Sequence, residues 1–212
     1  MKISPALLVK TPKELATQID KLSPYFKHFQ IDIADGKFVP EKTITLEQIL
    51  NISFFSFISS LSFDFDLLVY DVTAALNECD KLAQQIKVDK IFIHKLDSFN
   101  PRPNAGVAID PQISVETIKQ KFDLSSIPAI QIMSVIPGAQ GRAFIPETLN
   151  KIEQLKNAGY RSQIYLDGAI NNRTIPLILE KEYRPDILCV GSYLTKAANL
   201  EERVRELKLI QS

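Results

Sequence analysis

The most informative stretch of this sequence is FQIDIADGKFVP, residues 29–40. Apolar and polar side chains alternate through its first five positions and then reach Asp-Gly, a pair that favours a turn. Because a strand has a side-chain period of two, Gln30 and Asp32 share one face, and the phenylalanine and isoleucines between them share the other. If both faces of that strand are covered, a carboxylate at Asp32 is either costly or functional.

The composition restricts the class of protein. The chain has 212 residues, of which 45% are hydrophobic, so it is long enough to bury a full core in one domain. Lysine plus arginine equals aspartate plus glutamate at 25 each, so no overall field attracts nucleic acid or an anionic membrane. The apolar run 52–68 is broken by serines and two aspartates and falls short of the roughly 20 apolar residues that a membrane span requires. Cys79 and Cys189 lie far apart and no signal-peptide pattern follows Met1, so we expect free thiols in a cytoplasmic protein.

Short strand-like runs alternate with amphipathic segments along the chain. We predict eight strands, at 3–9, 29–33, 61–69, 90–94, 105–109, 129–134, 163–167 and 187–191. The segments predicted as helices carry apolar residues three and four apart, at 12–22, 73–86, 115–122, 146–158, 173–181 and 200–210. Asn199 is the expected N-cap of the last of these helices. Alternating β and α units imply a parallel sheet with right-handed crossovers, and eight such units predict a closed barrel.

One connection between the predicted strands is short. Only KLDSFNPRPN, residues 95–104, separates His94 from Ala105, whereas a parallel crossover normally takes a dozen residues or more. Pro101 and Pro103 discourage a helix in this segment. The predicted fold class is therefore α/β, a single-domain TIM (β/α)8 barrel in which the fourth crossover helix is shortened or absent.

Polar side chains stand at the ends of several predicted strands, where barrels of this kind carry their chemistry. They are Asp32, Asp64, Asp66, His94, Ser134 and Asp167. For any one of them a helix cap or a turn is as good an explanation, and Asp35-Gly36 is expected to be such a turn. Asp32, Asp66 and Asp167 taken together are harder to dismiss, because like charges at one mouth oppose one another's ionisation or require a cation.

Two glycine-bearing turns follow late strands. PGAQG, residues 137–141, comes after the predicted sixth strand, and Gly191-Ser192 comes directly after the eighth. Backbone amides in such turns form anion pockets, and phosphate sites in this architecture favour the end of the barrel circuit. The two turns therefore predict an anion site near the acidic cluster.

Taken in order, these segments resemble the ribulose-phosphate 3-epimerase family of the ribulose-phosphate-binding barrel superfamily. The matching motifs are ISPALL (3–8), QIDIADGKFVPEKTI (30–44), DFDLLV (64–69), IMSVIPGAQGRAFIPETLNKIEQL (132–155), YLDGAI (165–170) and VGS (190–192), which together span nearly the whole chain. The resemblance implies one ribulose-phosphate-binding barrel over residues 1–212. It also implies an isomerase of carbohydrate metabolism that interconverts ketopentose phosphates of the ribulose 5-phosphate and xylulose 5-phosphate type.

The resemblance also assigns roles to individual residues. It gives the proton transfers at C3 of the sugar to Asp32 and Asp167: one carboxylate removes a proton, a divalent metal stabilises the enediolate, and the other carboxylate returns a proton to the opposite face. The implied contacts to substrate and phosphate are Met133, Gly138, Gly168, Gly191 and Ser192.

The chain departs from the family's pattern at the metal site. Gln30 and Asp66 stand where the family usually has two histidines. The implied metal ligands are therefore Asp32, Asp66 and Asp167, with Gln30 as a further oxygen donor. Such an oxygen set favours Mg²⁺ or Mn²⁺ over Zn²⁺, and a metal-free site stays open as an alternative.

Further departures surround the predicted site. A serine, two methionines, an asparagine, an aromatic residue and two glycines of the family pattern are replaced here by Ala6, Ala34, Leu68, Ile136, Ala139, Gln140 and Ala169. Without these glycines the backbone approaches a phosphate less closely. The side-chain charges of Arg142 and Lys196 could compensate for the lost contacts.

An epimerase is the favoured function, and two alternatives stay open. The first is a barrel that binds a sugar phosphate without turnover or serves as a scaffold, which the missing histidines support. The second is a lyase or decarboxylase of the same superfamily, for which Lys95 is the nearest catalytic lysine, although a strand-end lysine is more often solvated. His94 could reach the site, but a structural role is as well supported. The expected partners are a small sugar phosphate and further copies of the chain in a homo-oligomer, with neither nucleic acid nor membrane.

Overall fold

Eight parallel strands close into a barrel in chain order. The computed structural model describes residues 1–52, 60–138 and 141–209, so Ala139 and Gln140 lie outside the described residues. The strands are β1 (Lys2–Leu7), β2 (His28–Ala34), β3 (Ser62–Leu68), β4 (Lys87–Ile93), β5 (Ala105–Ile109), β6 (Ala129–Met133), β7 (Gln163–Asp167) and β8 (Ile187–Val190). Each overlaps a strand predicted from the sequence, and the predicted single-domain TIM barrel is confirmed.

Helices connect most of the strands around the outside of the barrel. They are α1 (Pro12–Leu22), α2 (Leu46–Leu50), α3 (Val72–Leu82), α4 (Val115–Lys121), α5 (Asn150–Asn157), α6 (Ile175–Leu179), α7 (Ser192–Thr195) and α8 (Leu200–Lys208). Asn199 caps α8 as expected, because its side chain accepts a hydrogen bond from the Glu202 amide. The short helix α2 was not predicted, although its Thr45 and Gln48 form a capping box that the sequence already displays.

The fourth connection contains no α-helix, as predicted. Between β4 and β5 the chain makes only a 3₁₀ turn, Leu96–Ser98. Phe99 follows the turn, is buried, and packs edge-on against Phe122 with ring centroids 5.1 Å apart. An aromatic side chain thus covers the part of the barrel wall that a helix would otherwise shield.

The two faces of the strands have different chemistry. The faces that point toward the helices are apolar and join one large core, which includes Phe29, Phe63 and Phe65. The barrel interior carries polar side chains beside a small apolar cluster, and Gln30, Asp64 and Gln131 are all fully buried. The alternation seen in residues 29–33 is therefore a barrel strand with its polar face turned inward. Within the described part of the chain, no helix is long and apolar enough to cross a membrane.

Candidate active site

Three carboxylates meet at the C-terminal mouth of the barrel. Asp32 lies opposite Asp66 in the β2–β3 register, and Asp167 ends β7. One oxygen atom of each lies within 4.8 Å of an oxygen of the other two. All three line a cavity of about 300 Å³ that opens among the loops after the strands. The period of two and the parallel register bring together the acidic residues that sequence reasoning had grouped.

Burial and mutual repulsion favour the protonated form of two of these groups. Burial, and then the charges of Asp167 and Asp66, raises the pKa of Asp32 well above its usual range. Burial, and then the charge of Asp66, raises the pKa of Asp167 to about 7. Carboxyl groups whose pKa approaches neutrality are suited to take up and release protons at physiological pH.

His94 supplies positive charge directly behind the cluster. Its Nε2 lies 3.0 Å from Asp66 Oδ1, and its Nδ1 lies 2.7 Å from Asp110 Oδ1. Burial alone would lower the pKa of His94, but the neighbouring Asp66 and Asp110 raise it to about 10. The ring is therefore an imidazolium at neutral pH, and it donates a hydrogen bond to each of the two carboxylates.

The network continues outward to Lys151 of α5. Its Nζ donates to the backbone carbonyl oxygens of Asp110, at 2.7 Å, and Pro111, at 2.9 Å. Burial lowers the pKa of Lys151 to about 8, against the opposing charge of Asp110. Both backbone acceptors lie at the end of β5, so Lys151 fixes the strand end that carries Asp110.

Gln30 lies between two of the three carboxylates. Its Nε2 donates to Asp167 Oδ2 at 2.6 Å and to Asp32 Oδ1 at 3.3 Å. Its Oε1 accepts a hydrogen bond from Cys189 Sγ at 3.1 Å. The amide nitrogen, rather than the carbonyl oxygen, therefore faces the acidic cluster. The predicted role of Gln30 as an oxygen ligand stays a prediction, and it would require the amide to turn around.

The residues expected to contact substrate and phosphate also border the cavity. Its lining includes Met133, Gly138, Gly168, Gly191, Ser192 and Arg142. A Cβ atom at Gly138 would lie 2.9 Å from Val39 Cβ, and one at Gly168 would lie 2.8 Å from Val135 Cγ2, so these turns are too close-packed for a side chain. The lining also includes Ala6, Leu68 and Ala169, where the family pattern has serine, methionine and glycine, respectively.

Ala169 has a left-handed backbone. Its φ is +51°, a region that costs an L-residue about 1 kcal/mol relative to glycine. The turn is held by Thr174 Oγ1 and Asn171 Nδ2, which both donate to the Ala169 carbonyl oxygen at 2.9 and 2.7 Å. Ala169 thus adopts a backbone conformation that favours glycine, at a position where the family pattern has glycine.

Other polar strand ends have structural positions. Asp64 faces the opposite end of the barrel, and Ser134 Oγ donates to the backbone oxygens of Asp167 and Gly168. Asp35 makes the expected turn, because its Oδ1 accepts from the amides of Lys37 and Phe38. The sequence supports a structural role and a functional role for His94 equally, and in the structure its ring contacts Asp66.

Sequence reasoning missed three members of the site. Asp110 follows the strand motif AGVAI, and the same strand-end pattern that singled out Asp32 would have found it. Lys151 comes from a helix and Cys189 from an apolar strand, so neither carries a local signal. Both become visible only when the barrel register is known.

The donor set fits a hard divalent cation. Asp32, Asp66 and Asp167 offer carboxylate oxygens, which Mg²⁺ and Mn²⁺ prefer. With Asp110 there are four carboxylates against the positive charges of His94 and Lys151, so two negative charges are left uncompensated when all four are ionised. A divalent ion would balance that charge.

The closed barrel and the acidic cluster define a (β/α)8 protein whose candidate site lies at the C-terminal ends of the strands. The model of the ribulose-phosphate 3-epimerase family matches residues 2–195. The chain belongs to the ribulose-phosphate 3-epimerase family, as the sequence motifs had indicated, and it does so without the two metal-ligand histidines.

Named relatives support this membership. The chain is 26% identical over 190 residues to the ribulose-phosphate 3-epimerase of Methanocaldococcus jannaschii, covering 85% of this chain and 77% of that protein. It is 25% identical to the Helicobacter pylori enzyme, over 100% of this chain and 98% of that protein. It is 24% identical to the Bacillus subtilis enzyme, over 98% of both.

Solved structures share the fold. KGPDC from Streptococcus mutans, crystallised in complex with D-R5P, superposes with a TM-score of 0.66 at 16% identity, over 97% of this chain and 94% of that chain. The 3-hexulose-6-phosphate synthase of Salmonella typhimurium gives 0.63 at 14% identity, over 99% and 98%. At these identities the likeness concerns the barrel itself.

Proposed function

We propose that this chain is a sugar-phosphate 3-epimerase that interconverts ketopentose phosphates of the ribulose 5-phosphate and xylulose 5-phosphate type. The observation that carries the proposal is the pairing of Asp32 and Asp167, from strands on different sides of the barrel, on one cavity within 4.8 Å of each other. Inversion at one carbon needs a group that removes a proton and a second that returns one. Membership of the family supports the choice of substrate class.

Asp32 and Asp167 would exchange roles between the two directions of the reaction. In each direction one carboxylate accepts the C3 proton and the other, protonated, donates to the opposite face of the same carbon. The pKa of Asp167 at about 7 fits this task, because the group then gains or loses its proton with little driving force either way. The Gln30 amide donates a hydrogen bond to each of the two carboxylates and thereby limits their movement.

Asp32, Asp66 and Asp167 would hold the divalent cation that the family pattern implies. When bound, such a cation would supply positive charge to the substrate oxygen that becomes negative as the C3 proton leaves. His94 would keep Asp66 oriented toward the cavity, because the Nε2 of His94 donates a hydrogen bond to Oδ1 of that carboxylate.

The phosphate would be bound at the glycine turns. Gly138, Gly168, Gly191 and Ser192 border the same cavity as the carboxylates, which supports a ligand that extends from the acidic cluster to these turns. Arg142 also lines the cavity and offers a planar cation for a phosphate group. Homo-oligomeric assembly and a cytoplasmic location stay predictions from the sequence.

The alternative of a lyase through Lys95 gains no support. Lys95 Nζ lies 4.2 Å from the centroid of the Tyr70 ring and donates to the Tyr70 carbonyl oxygen at 3.1 Å. No lysine borders the cavity among the residues that the structure describes. The alternative of a binding barrel without turnover is a possible outcome of the experiment below.

The test is turnover in D₂O with ribulose 5-phosphate, followed by NMR, with the protein supplemented by Mg²⁺ or Mn²⁺. We expect xylulose 5-phosphate with deuterium at C3, and a loss of about 100-fold or more in Asp32→Asn and in Asp167→Asn. Asp186→Asn is the matched control, because Asp186 serves a backbone amide at the other end of the barrel.

Two results would count against the epimerase. Wild-type protein that neither converts the sugar nor exchanges the C3 proton with any added divalent metal would refute it. If ribulose 5-phosphate still raised the melting temperature of that protein, the binding barrel would be the better description. Release of a smaller product, detected by mass spectrometry, would instead support a lyase.

A further inference from the structure

The amide of Gln30 connects the two carboxylates that the proposed reaction uses. The side chain is fully buried in the barrel interior. Its Nε2 carries two hydrogens, and it has two carboxylate acceptors, Asp167 Oδ2 at 2.6 Å and Asp32 Oδ1 at 3.3 Å. Each hydrogen can therefore be assigned to a different carboxylate, so that one rigid amide plane spans the pair.

The orientation of that amide is set by a third residue. Cys189 Sγ lies 3.1 Å from Gln30 Oε1, and burial keeps the pKa of the thiol well above its usual range, so it carries a hydrogen to donate. The reverse orientation would place Oε1 only 2.6 Å from an oxygen of Asp167, which is repulsive when that carboxylate is ionised. When Asp167 is ionised, a thiol on one side and two carboxylates on the other thus select one of the two amide orientations.

We propose that Gln30 is a positioning residue that ties Asp32 to Asp167 and keeps the pair aligned for proton transfer in the absence of a cation. The inference rests on the proposed function only for its consequence in turnover. Gln30 occupies a position where the family pattern has an imidazole ligand, and here it presents hydrogen-bond donors instead of a lone pair. It therefore serves the carboxylates and is not itself a ligand.

A Gln30 that donates hydrogen bonds and a Gln30 that binds the metal predict opposite changes in cation affinity when the residue is replaced. The Gln30 N–H groups donate to oxygens of two of the three carboxylates that could hold a cation, and a donor hydrogen repels a cation. A ligand lost by substitution weakens metal binding, whereas a competing donor lost by substitution strengthens it. The two possible roles of Gln30 are therefore separated by the direction of one measured affinity.

The decisive variant is Gln30→Met, which keeps the length of the side chain and removes both donors. Mn²⁺ affinity is measured by calorimetry on chelator-treated protein, and turnover of ribulose 5-phosphate is measured with and without chelator. We expect Gln30→Met to bind Mn²⁺ several-fold more tightly than wild type. In the presence of chelator we expect its kcat to fall by about 100-fold with KM nearly unchanged, because the carboxylates are displaced and the sugar contacts are intact.

Two further variants sharpen the test. Gln30→Glu keeps the shape and adds a negative charge, so its Mn²⁺ affinity should rise above that of Gln30→Met while its turnover in chelator stays low. Gln131→Met is the matched control, since Gln131 is also a fully buried barrel glutamine, and its Nε2 contacts Met133 Sδ at 3.4 Å rather than a carboxylate. It should leave the Mn²⁺ affinity at the wild-type value.

The outcomes separate this inference from the proposed function. Weaker Mn²⁺ binding in Gln30→Met would show that Gln30 is a ligand and would overturn the inference. Turnover in chelator equal to that of wild type would overturn it as well. If wild-type protein shows no turnover under any condition, the proposed function fails, and the direction of the Mn²⁺ affinity change still decides whether Gln30 holds the carboxylates.

Discussion

Asp64 and Asp66 lie two positions apart on the same face of β3, and each is paired with a histidine at a different end of the barrel. At the N-terminal end, His28 Nε2 lies 2.6 Å from Asp64 Oδ2. At the C-terminal mouth, His94 Nε2 lies 3.0 Å from Asp66 Oδ1. The pairs are chemically alike, yet one belongs to the candidate active site and the other does not.

The difference lies in what surrounds each pair. His28 also lies 3.3 Å from Asp89, and Lys87 lies 3.5 Å from that carboxylate, so two basic side chains face the two carboxylates at the N-terminal end. Asp66 stands beside Asp32 and Asp167 with no further cation than His94 in contact among the described residues. The pair at the N-terminal end is therefore faced by a second basic side chain, whereas the pair at the C-terminal mouth lies beside two further carboxylates.

Replacing Asp64 and Asp66, one at a time, by asparagine should give the largest difference between the two ends of the barrel. Asp66→Asn removes the negative charge of one of the three carboxylates that would hold the cation, so we expect Mn²⁺ affinity and turnover of ribulose 5-phosphate each to fall by about 100-fold. Asp64→Asn should lower stability and leave both quantities unchanged for the folded fraction. Calorimetry and kinetics on the two purified variants provide the comparison, and equal losses at both positions would remove the distinction between the two ends.

The two histidines should differ in their effect on stability. His94→Gln leaves Asp66 and Asp110 buried without the imidazolium that they share, and we expect it to lower the free energy of unfolding by about 3 kcal/mol. His28→Gln should cost only about 1 kcal/mol, because the His28 side chain is 28% exposed and water replaces part of the lost interaction. Urea denaturation of both variants measures the difference. A larger loss at His28 would contradict this account.

The pH dependence of these two effects should also differ. A group whose pKa is higher in the folded chain stabilises it fully below the unfolded pKa, and loses that contribution as the pH rises through the folded value. Burial lowers the pKa of His28, but Asp64 outweighs it and raises the pKa above 6.5, whereas the pKa of His94 reaches about 10. The stability difference between wild type and His28→Gln should therefore shrink as the pH rises above 6.5. The difference for His94→Gln should decline over a wider range, beginning near pH 6.5 and ending near pH 10.

Much of the fold could be predicted because it depends on local pattern. The period of two in residues 29–33 placed Gln30 and Asp32 on one face, and the short segment 95–104 indicated the missing helix. The contacts of Gln30 could not be predicted, since Asp167 is 137 positions away and Cys189 is 159 positions away along the chain. Only the closure of the barrel makes these residues neighbours, and only coordinates show which end of the amide faces the carboxylates.

The smallest expected effect lies between the two ends, in the middle of the barrel. The Ser4 hydroxyl oxygen is buried and has no hydrogen-bond partner within the described part of the chain. The carboxylates toward the two ends of the barrel do have hydrogen-bond partners. A buried polar atom without a partner loses its hydration on folding and gains nothing in return. Ser4→Ala should therefore raise the free energy of unfolding by about 1 kcal/mol, measured by urea denaturation, with Mn²⁺ affinity unchanged. A loss of stability would mean that the hydroxyl has a hydrogen-bond partner in solution, such as a water molecule.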